Sequence, residues 1–222
     1  MALYTMADLH LSFSTEKPMD VFGDRWKDHP EKILSRWPLT EEDTIVLPGD
    51  FSWAMNFREL AADMEFLQSL PGKKILSKGN HDYWWETLAK MTKFAADYPS
   101  VSFLHNNAHT VGEVSVCGTR GWTLETTDED EKVLNREVGR LKTSLEKAEK
   151  EPLVFLHYPP LFGDLRCEPI LEVLKQFGVK ECYYGHLHGA GAGSLAVQGE
   201  REGISFRLVS ADYLDFTPLK IR

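Results

Sequence analysis

Five short groups of polar residues stand out by type and spacing: Asp8-Leu9-His10, Gly49-Asp50, Gly79-Asn80-His81-Asp82, His157 and Gly185-His186-Leu187-His188. Carboxylate, amide and imidazole side chains bind divalent metals, and the carboxyl and imidazole groups also transfer protons. Such groups are costly to bury without partners, so each implies the others nearby. Every group follows an apolar run that reads as a strand: residues 3–7, 44–48, 73–77, 152–156 and 181–184. In open α/β sheets, ligands bind beyond the carboxyl ends of the strands. Five strands delivering Asp, His and Asn to one edge make a metal site. The i, i+2 spacing of Asp8 and His10 lets both reach one ion, and that of His186 and His188 sends two imidazoles to one side.

The ordered set D-x-H, G-D, G-N-H-D, H, G-H-x-H resembles the calcineurin-like metallophosphoesterase superfamily, and it spans residues 8 to 188. The blocks G-D-F-S-W-A-M, K-G-N-H-D-Y-W-W and L-H-Y-P-P look like those of bacterial phosphohydrolases. The resemblance implies that Asp8, His10, Asp50 and His188 hold a first metal. Asp50 would bridge to a second, completed by Asn80, His157 and His186. His81 would touch phosphoryl oxygens or protonate the leaving group, with Asp82 fixing its tautomer. It also implies two ions sharing a hydroxide for in-line attack on a phosphomonoester or phosphodiester. A mixed nitrogen and oxygen donor set suits Mn, Fe, Co or Zn over Ca or Mg. The fold implied is a single α/β domain over residues 1–222, a β-sandwich flanked by helices. The sequence departs from the protein Ser/Thr phosphatases of the superfamily, which continue G-D-x-V-D-R-G and have G-N-H-E. Here Phe51-Ser52-Trp53 follows Asp50, with no such Arg, so small phosphoesters, nucleotide-like ones slightly favoured, are expected before phosphoproteins.

Composition limits the partners. The 222 residues, 42% hydrophobic and 27% charged, suit one well-cored soluble domain. A formal charge of −9 argues against a broad basic face for nucleic acid, and so against a nuclease on long substrates. A non-catalytic scaffold is disfavoured because His10, His81, His157, His186 and His188 are all in place. Cys117, Cys167 and Cys182 are odd in number with no C-x-x-C, which points to a reducing compartment. No apolar run approaches the ~20 residues of a membrane span, and Met1 leads straight into a strand. The expected location is cytoplasmic; the oligomeric state is left open.

The intervening elements follow from periodicity. Residues 12–29 form a long polar excursion, either a substrate wall or a surface loop. A short helix is expected over 27–37, and one over 57–69 from Phe57, Leu60, Ala61, Met64 and Leu67. Another carries Leu88, Met91 and Phe94, and short strands follow between 101 and 117. A polar connection over residues 121–130 precedes a long amphipathic helix with Val133, Leu134, Val138, Leu141, Leu145 and Ala148. Residues 168–177 read as helix, the Gly-Ala run 189–193 as an open, flexible exit, 204–209 as the last strand, and Pro218 onward as a tail. Trp53 and Trp84 beside the motifs, and Arg166 after His157, are the candidates for substrate contact. His29, His105 and His109 read as turn or surface histidines.

Overall fold

The computed structural model describes residues 1–122 and 128–222. β1 (Leu3–Thr5) is followed by two 3₁₀ turns, α1 (His29–Ser35), β2 (Thr44–Pro48), α2 (Phe57–Ser69), β3 (Lys73–Ser77), α3 (Leu88–Phe94) and β4 (Val101–Phe103). β1 to β4 are parallel neighbours, as the intervening helices require. The Asn56 side chain caps α2 by accepting from the amides of Arg58 and Glu59 at 3.0 and 3.1 Å, and Leu60, Met64 and Leu67 bury one stripe of it.

A second sheet is built from β5 (His109–Val111), β6 (Val114–Thr119), β7 (Glu151–Leu156), β10 (Glu181–Tyr184), β11 (Gly199–Arg201) and β12 (Ile204–Leu208). Between its strands come α4 (Asp128–Glu146), the hairpin β8 (Leu161–Phe162) and β9 (Leu165–Arg166), α5 (Glu168–Gln176) and α6 (Gly189–Leu195). β6, β7, β10 and β12 are again parallel. Residues 123–127 of the expected polar connection lie outside the described residues, and α4 begins at Asp128.

The two sheets face each other across Leu3, Val46 and Ile75 on one side and Val116, Leu153 and Phe155 on the other. Ile33, Leu60 and Met91 of the first three helices cover the outer face of the first sheet, and Leu141 and Ile170 of α4 and α5 cover that of the second. The result is a helix–sheet–sheet–helix sandwich, the α/β class read from the motifs. All three cysteines are buried and free. No described helix is long and apolar enough to cross a membrane.

Three expectations are corrected. The residues after Pro218 are no loose tail, because β13 (Leu219–Lys220) pairs antiparallel with β1 and closes that edge of the first sheet. Residues 189–193 do not form an open exit; they wind into α6, whose first amide, that of Gly189, is held by Asp212 at 2.8 Å. The first strand ends at Thr5, since the Ala7 amide leaves its own sheet and donates to the Val209 carbonyl of the other at 2.7 Å. That crossing ties the two sheets together where the site begins.

Candidate metal centre

The carboxyl ends of both sheets meet at this edge. Asp8 and His10 follow β1, Asp50 follows β2, and Asn80, His81 and Asp82 follow β3. His157 follows β7, while His186 and His188 follow β10. Asp8, His10, Asp50 and His186 all adopt left-handed backbone, with φ of 62°, 46°, 50° and 71°. L-residues rarely adopt that region, and such strain concentrates at functional sites. Here it turns each side chain sharply back from its strand end into a common space. The glycines leave room for them: a Cβ on Gly79 would lie 2.0 Å from Asp50 Oδ1, and one on Gly185 2.5 Å from Asp8 Oδ2.

The donors fall into two groups, Asp8, His10 and His188, then Asp50, His157 and His186, each with its ligand atoms within 4.8 Å of one another. Nε2 of His10 and Nε2 of His188 lie 3.2 Å apart. In the second group Asn80 Oδ1 is 2.6 Å from His157 Nε2 and 3.0 Å from His186 Nδ1. Asp50 Oδ2 stands between the groups, 3.6 Å from His10 Nε2 and 3.4 Å from His157 Nε2. One oxygen is thus placed to serve both.

The tautomers suit ligation. His157 Nδ1 lies 3.3 Å from the Pro48 carbonyl, which only accepts, so its proton belongs there and the Nε2 lone pair faces the site. His188 Nδ1 lies 3.1 Å from Asp212 Oδ1 and leaves Nε2 free in the same way. Asp212 was missed in the sequence, although Ser210-Ala211-Asp212 follows β12 as the other groups follow their strands. Asp212→Ala is expected to weaken ion binding by about 10–100-fold, because outer partners orient a ligating imidazole. Competition with a chromophoric chelator measures this, and an unchanged affinity would remove Asp212 from the site.

Charge makes the same case. Asp8, Asp50 and Asp82 are buried, and among the described residues no Lys or Arg forms an ion pair with them. Burial pushes the Asp8 carboxyl up to about 6, and burial followed by repulsion from Asp82 and Asp8 pushes Asp50 well above the carboxylate range. Burial and then neighbouring imidazoles hold His10 and His157 far below the usual histidine range, and His186 down at about 4. His188 goes the other way: burial opposes its charged form, but Asp8 and Asp212 outweigh that and raise its pKa. Neutral imidazoles and uncompensated carboxylates packed together are what divalent cations require. The donor set therefore fits two ions.

The remaining candidates are placed differently. His81 belongs to neither donor group. Its amide donates to Asp50 Oδ1 at 2.8 Å, its ring packs on Trp53 at 4.2 Å, and its Nδ1 is 3.4 Å from the Tyr83 hydroxyl. Asp82 does not set the His81 tautomer. It is buried, and Oδ2 accepts from the amides of Asp50 and Gly79 at 2.9 and 2.7 Å. Its Oδ1 accepts from the amides of Phe51 and Ser52 and from the Trp84 indole at 3.0, 3.3 and 3.1 Å. A carboxylate is needed because each of these partners only donates.

Trp84 is accordingly a core residue, 1% exposed, and not a substrate contact. Trp53 does border the site, stacked on His10 at 5.0 Å. Arg166 is held by Glu168 and Glu202, the latter at 2.8 Å, on the β8–β9 hairpin. The 12–29 segment backs the first donor group, with the Trp26 ring edge-on to His10 and His188 at 5.9 and 5.4 Å. His29 is no surface histidine; it is buried against Trp26 and Phe216.

The chain belongs to the calcineurin-like phosphoesterase family, whose model matches residues 1–190. It is a metal-dependent phosphoester hydrolase, in a family that typically uses two divalent metals. Among solved structures it is similar to phosphopantetheinyl hydrolase (PptH) from Mycobacterium tuberculosis, with 15% identity, a TM-score of 0.62, and coverage of 99% of this chain and 95% of that one. A protein of unknown function from Aquifex aeolicus is 18% identical, with a TM-score of 0.55 and the same coverage. At these identities the likeness is one of fold. Comparison with curated proteins found no match.

Proposed function

We propose that the protein hydrolyses phosphomonoesters or phosphodiesters of small molecules, nucleotide-like ones favoured, with two Mn, Fe, Zn or Co ions. The observation that carries this reading is Asp50 Oδ2 between two three-donor groups, with His81 beside them and outside both. Asp8, His10, Asp50 and His188 would hold one ion, and Asp50, Asn80, His157 and His186 the other. Bound there, the ions would neutralise phosphoryl oxygens and acidify water.

In the reaction a water oxygen adds to phosphorus in line with the departing ester oxygen. The P–O ester bond breaks, and the leaving oxygen takes up a proton. His81 is the chain's own group for these changes, donating to a phosphoryl oxygen or passing its proton to the leaving oxygen. Trp53 holds the His81 ring on one side and offers an apolar wall to the leaving group.

The test is hydrolysis of p-nitrophenyl phosphate and its bis-ester by metal-stripped protein, with Mn²⁺, Fe²⁺, Zn²⁺ or Co²⁺ restored in turn. Turnover that needs an ion and is lost in Asp50→Asn is expected, and the preferred ester separates monoesterase from diesterase. Two ions bound per chain without turnover of either ester would sink the reading.

A further inference from the structure

A second charged cleft opens one strand further along both sheets. Lys78 follows β3, His105 lies just past β4, Arg120 follows β6, and Arg140 reaches in from α4. Among the described residues Glu137 is its only lining carboxylate, so three Lys and Arg residues against one Glu leave a surplus of two positive charges there, in a chain of net −9. Glu137 is already shared: it is buried, bonded by the Thr119 hydroxyl, 2.7 Å from Arg140 Nη1 and 3.7 Å from Arg120 Nη2. Arg120 Nε is buried with no hydrogen-bond partner, and the Lys78 ammonium has neither a hydrogen bond nor an ion pair among the described residues. The Arg120 guanidinium already faces the Trp122 ring at 4.4 Å, and the enclosed space, about 20 Å³, holds about one water, so the half-buried Lys78 and Arg140 are the cations open to an anion.

Position indicates where that anion comes from. The Arg120 carbonyl accepts from the amides of His157 and Tyr158 at 3.1 and 2.8 Å, and the Tyr158 ring lies 4.3 Å from that of His186. Lys78 is two residues before Asn80. Both cations therefore stand next to strands that carry the second donor group. Neighbouring strands are ~4.8 Å apart, which sets the cleft roughly 5–10 Å from that group.

We propose that Lys78 and Arg140, at the mouth of this cleft, bind a second oxyanion, phosphate or carboxylate, of the same small molecule whose phosphoester lies at the metal centre. This rests on the hydrolase reading above and narrows it. Preferred substrates carry another anionic group roughly 5–10 Å from the scissile phosphorus, about one to two strand spacings. Lys78 and Arg140 confer the preference.

Steady-state kinetics of the metal-loaded full chain on adenosine 5′-monophosphate and adenosine 3′,5′-bisphosphate test this, read as total phosphate released. The wild type is expected to favour the bisphosphate in kcat/KM by about 10-fold or more, as charge-assisted hydrogen bonds would give. Lys78→Gln/Arg140→Gln should bring the ratio near one, chiefly through KM. Lys132→Gln, an exposed charge removed from the same helix, should leave the ratio intact. If the double variant does not fold, Lys78→Gln alone is read the same way, since its ammonium makes no hydrogen bond or ion pair among the described residues. A wild-type ratio near one, or a preference that survives the variants, overturns the proposal.

Calorimetric binding of the two nucleotides separates this from the hydrolase reading. Should neither be hydrolysed, tighter binding of the bisphosphate that depends on Lys78 still supports the cleft, and equal binding overturns it. Sulfate distinguishes the sources of the anion. Loss of the bisphosphate preference in its presence supports a substrate group in the cleft. Activation of monophosphate hydrolysis through Lys78 would make a free anion the ligand and overturn the proposal.

Discussion

Asp82→Ala is expected to destabilise the fold by about 3–5 kcal/mol and to abolish tight ion binding, because it leaves several buried donors unsatisfied. Five donors converge on this carboxylate, four of them backbone amides from the turns after β2 and β3. Truncation strands them out of reach of bulk water, at about 1–3 kcal/mol for each donor left unsatisfied, with relaxation recovering part. Those turns also carry Asp50 and Asn80, so loosening them moves the proposed bridging carboxylate and a proposed ligand of the second ion together. Asp82→Asn should behave almost as badly, because its amide hydrogens would face donors. Urea denaturation of the metal-free proteins, with metal content after reconstitution, provides the measurement. A variant within 1 kcal/mol of wild type that still binds two ions would show that the turns are held by something else.

His81→Ala is expected to lower kcat by about 10²-fold or more while two ions remain bound, as for a lost proton donor or phosphoryl contact. The hydrogen bond from this residue to the donor groups is made by its backbone amide on Asp50 Oδ1, which alanine retains, while its ring lies 5.6 Å from that of His10. Only the ring is lost, and with it the group facing Trp53 and Tyr83. Metal analysis beside steady-state kinetics separates the two roles. Falling metal content with surviving turnover would make His81 a structural residue of the ion site.

The candidate metal donors were legible because ligation imposes residue type and strand-end position together, and both are visible in one dimension. Asp8, His10, Asp50, Asn80, His157, His186 and His188 come together as the motif order implied. The work of Asp82 was not legible, since a carboxylate next to a histidine in sequence gives no sign that its oxygens point back to five donors elsewhere. Trp84 lies beside the motif yet faces the core, because the turn after Asp82 carries its ring inward. His29 looked like a surface residue in a polar stretch, and only the packing of Trp26 and Phe216 buries it. The pairing of β13 depends on the open edge of β1, which local pattern does not encode. The helix at residues 189–195 contradicts a composition rich in Gly; its first turn is fixed from Asp212, a partner 23 residues away.

The two donor groups draw on both sheets: Asp8, Asp50 and Asn80 stand on the first, and His157, His186 and His188 on the second. Asp8 and the His186 amide that it holds are 178 positions apart. Closing so long a stretch of chain is entropically slow, and parallel pairing in both sheets adds to the delay. A half-folded chain, even one with either sheet complete, presents neither coordination sphere whole: the first sheet lacks His188 for one group and His157 and His186 for the other. The complete donor set thus exists only in the finished molecule, and an ion held by all of it would act as a rivet between the two sheets.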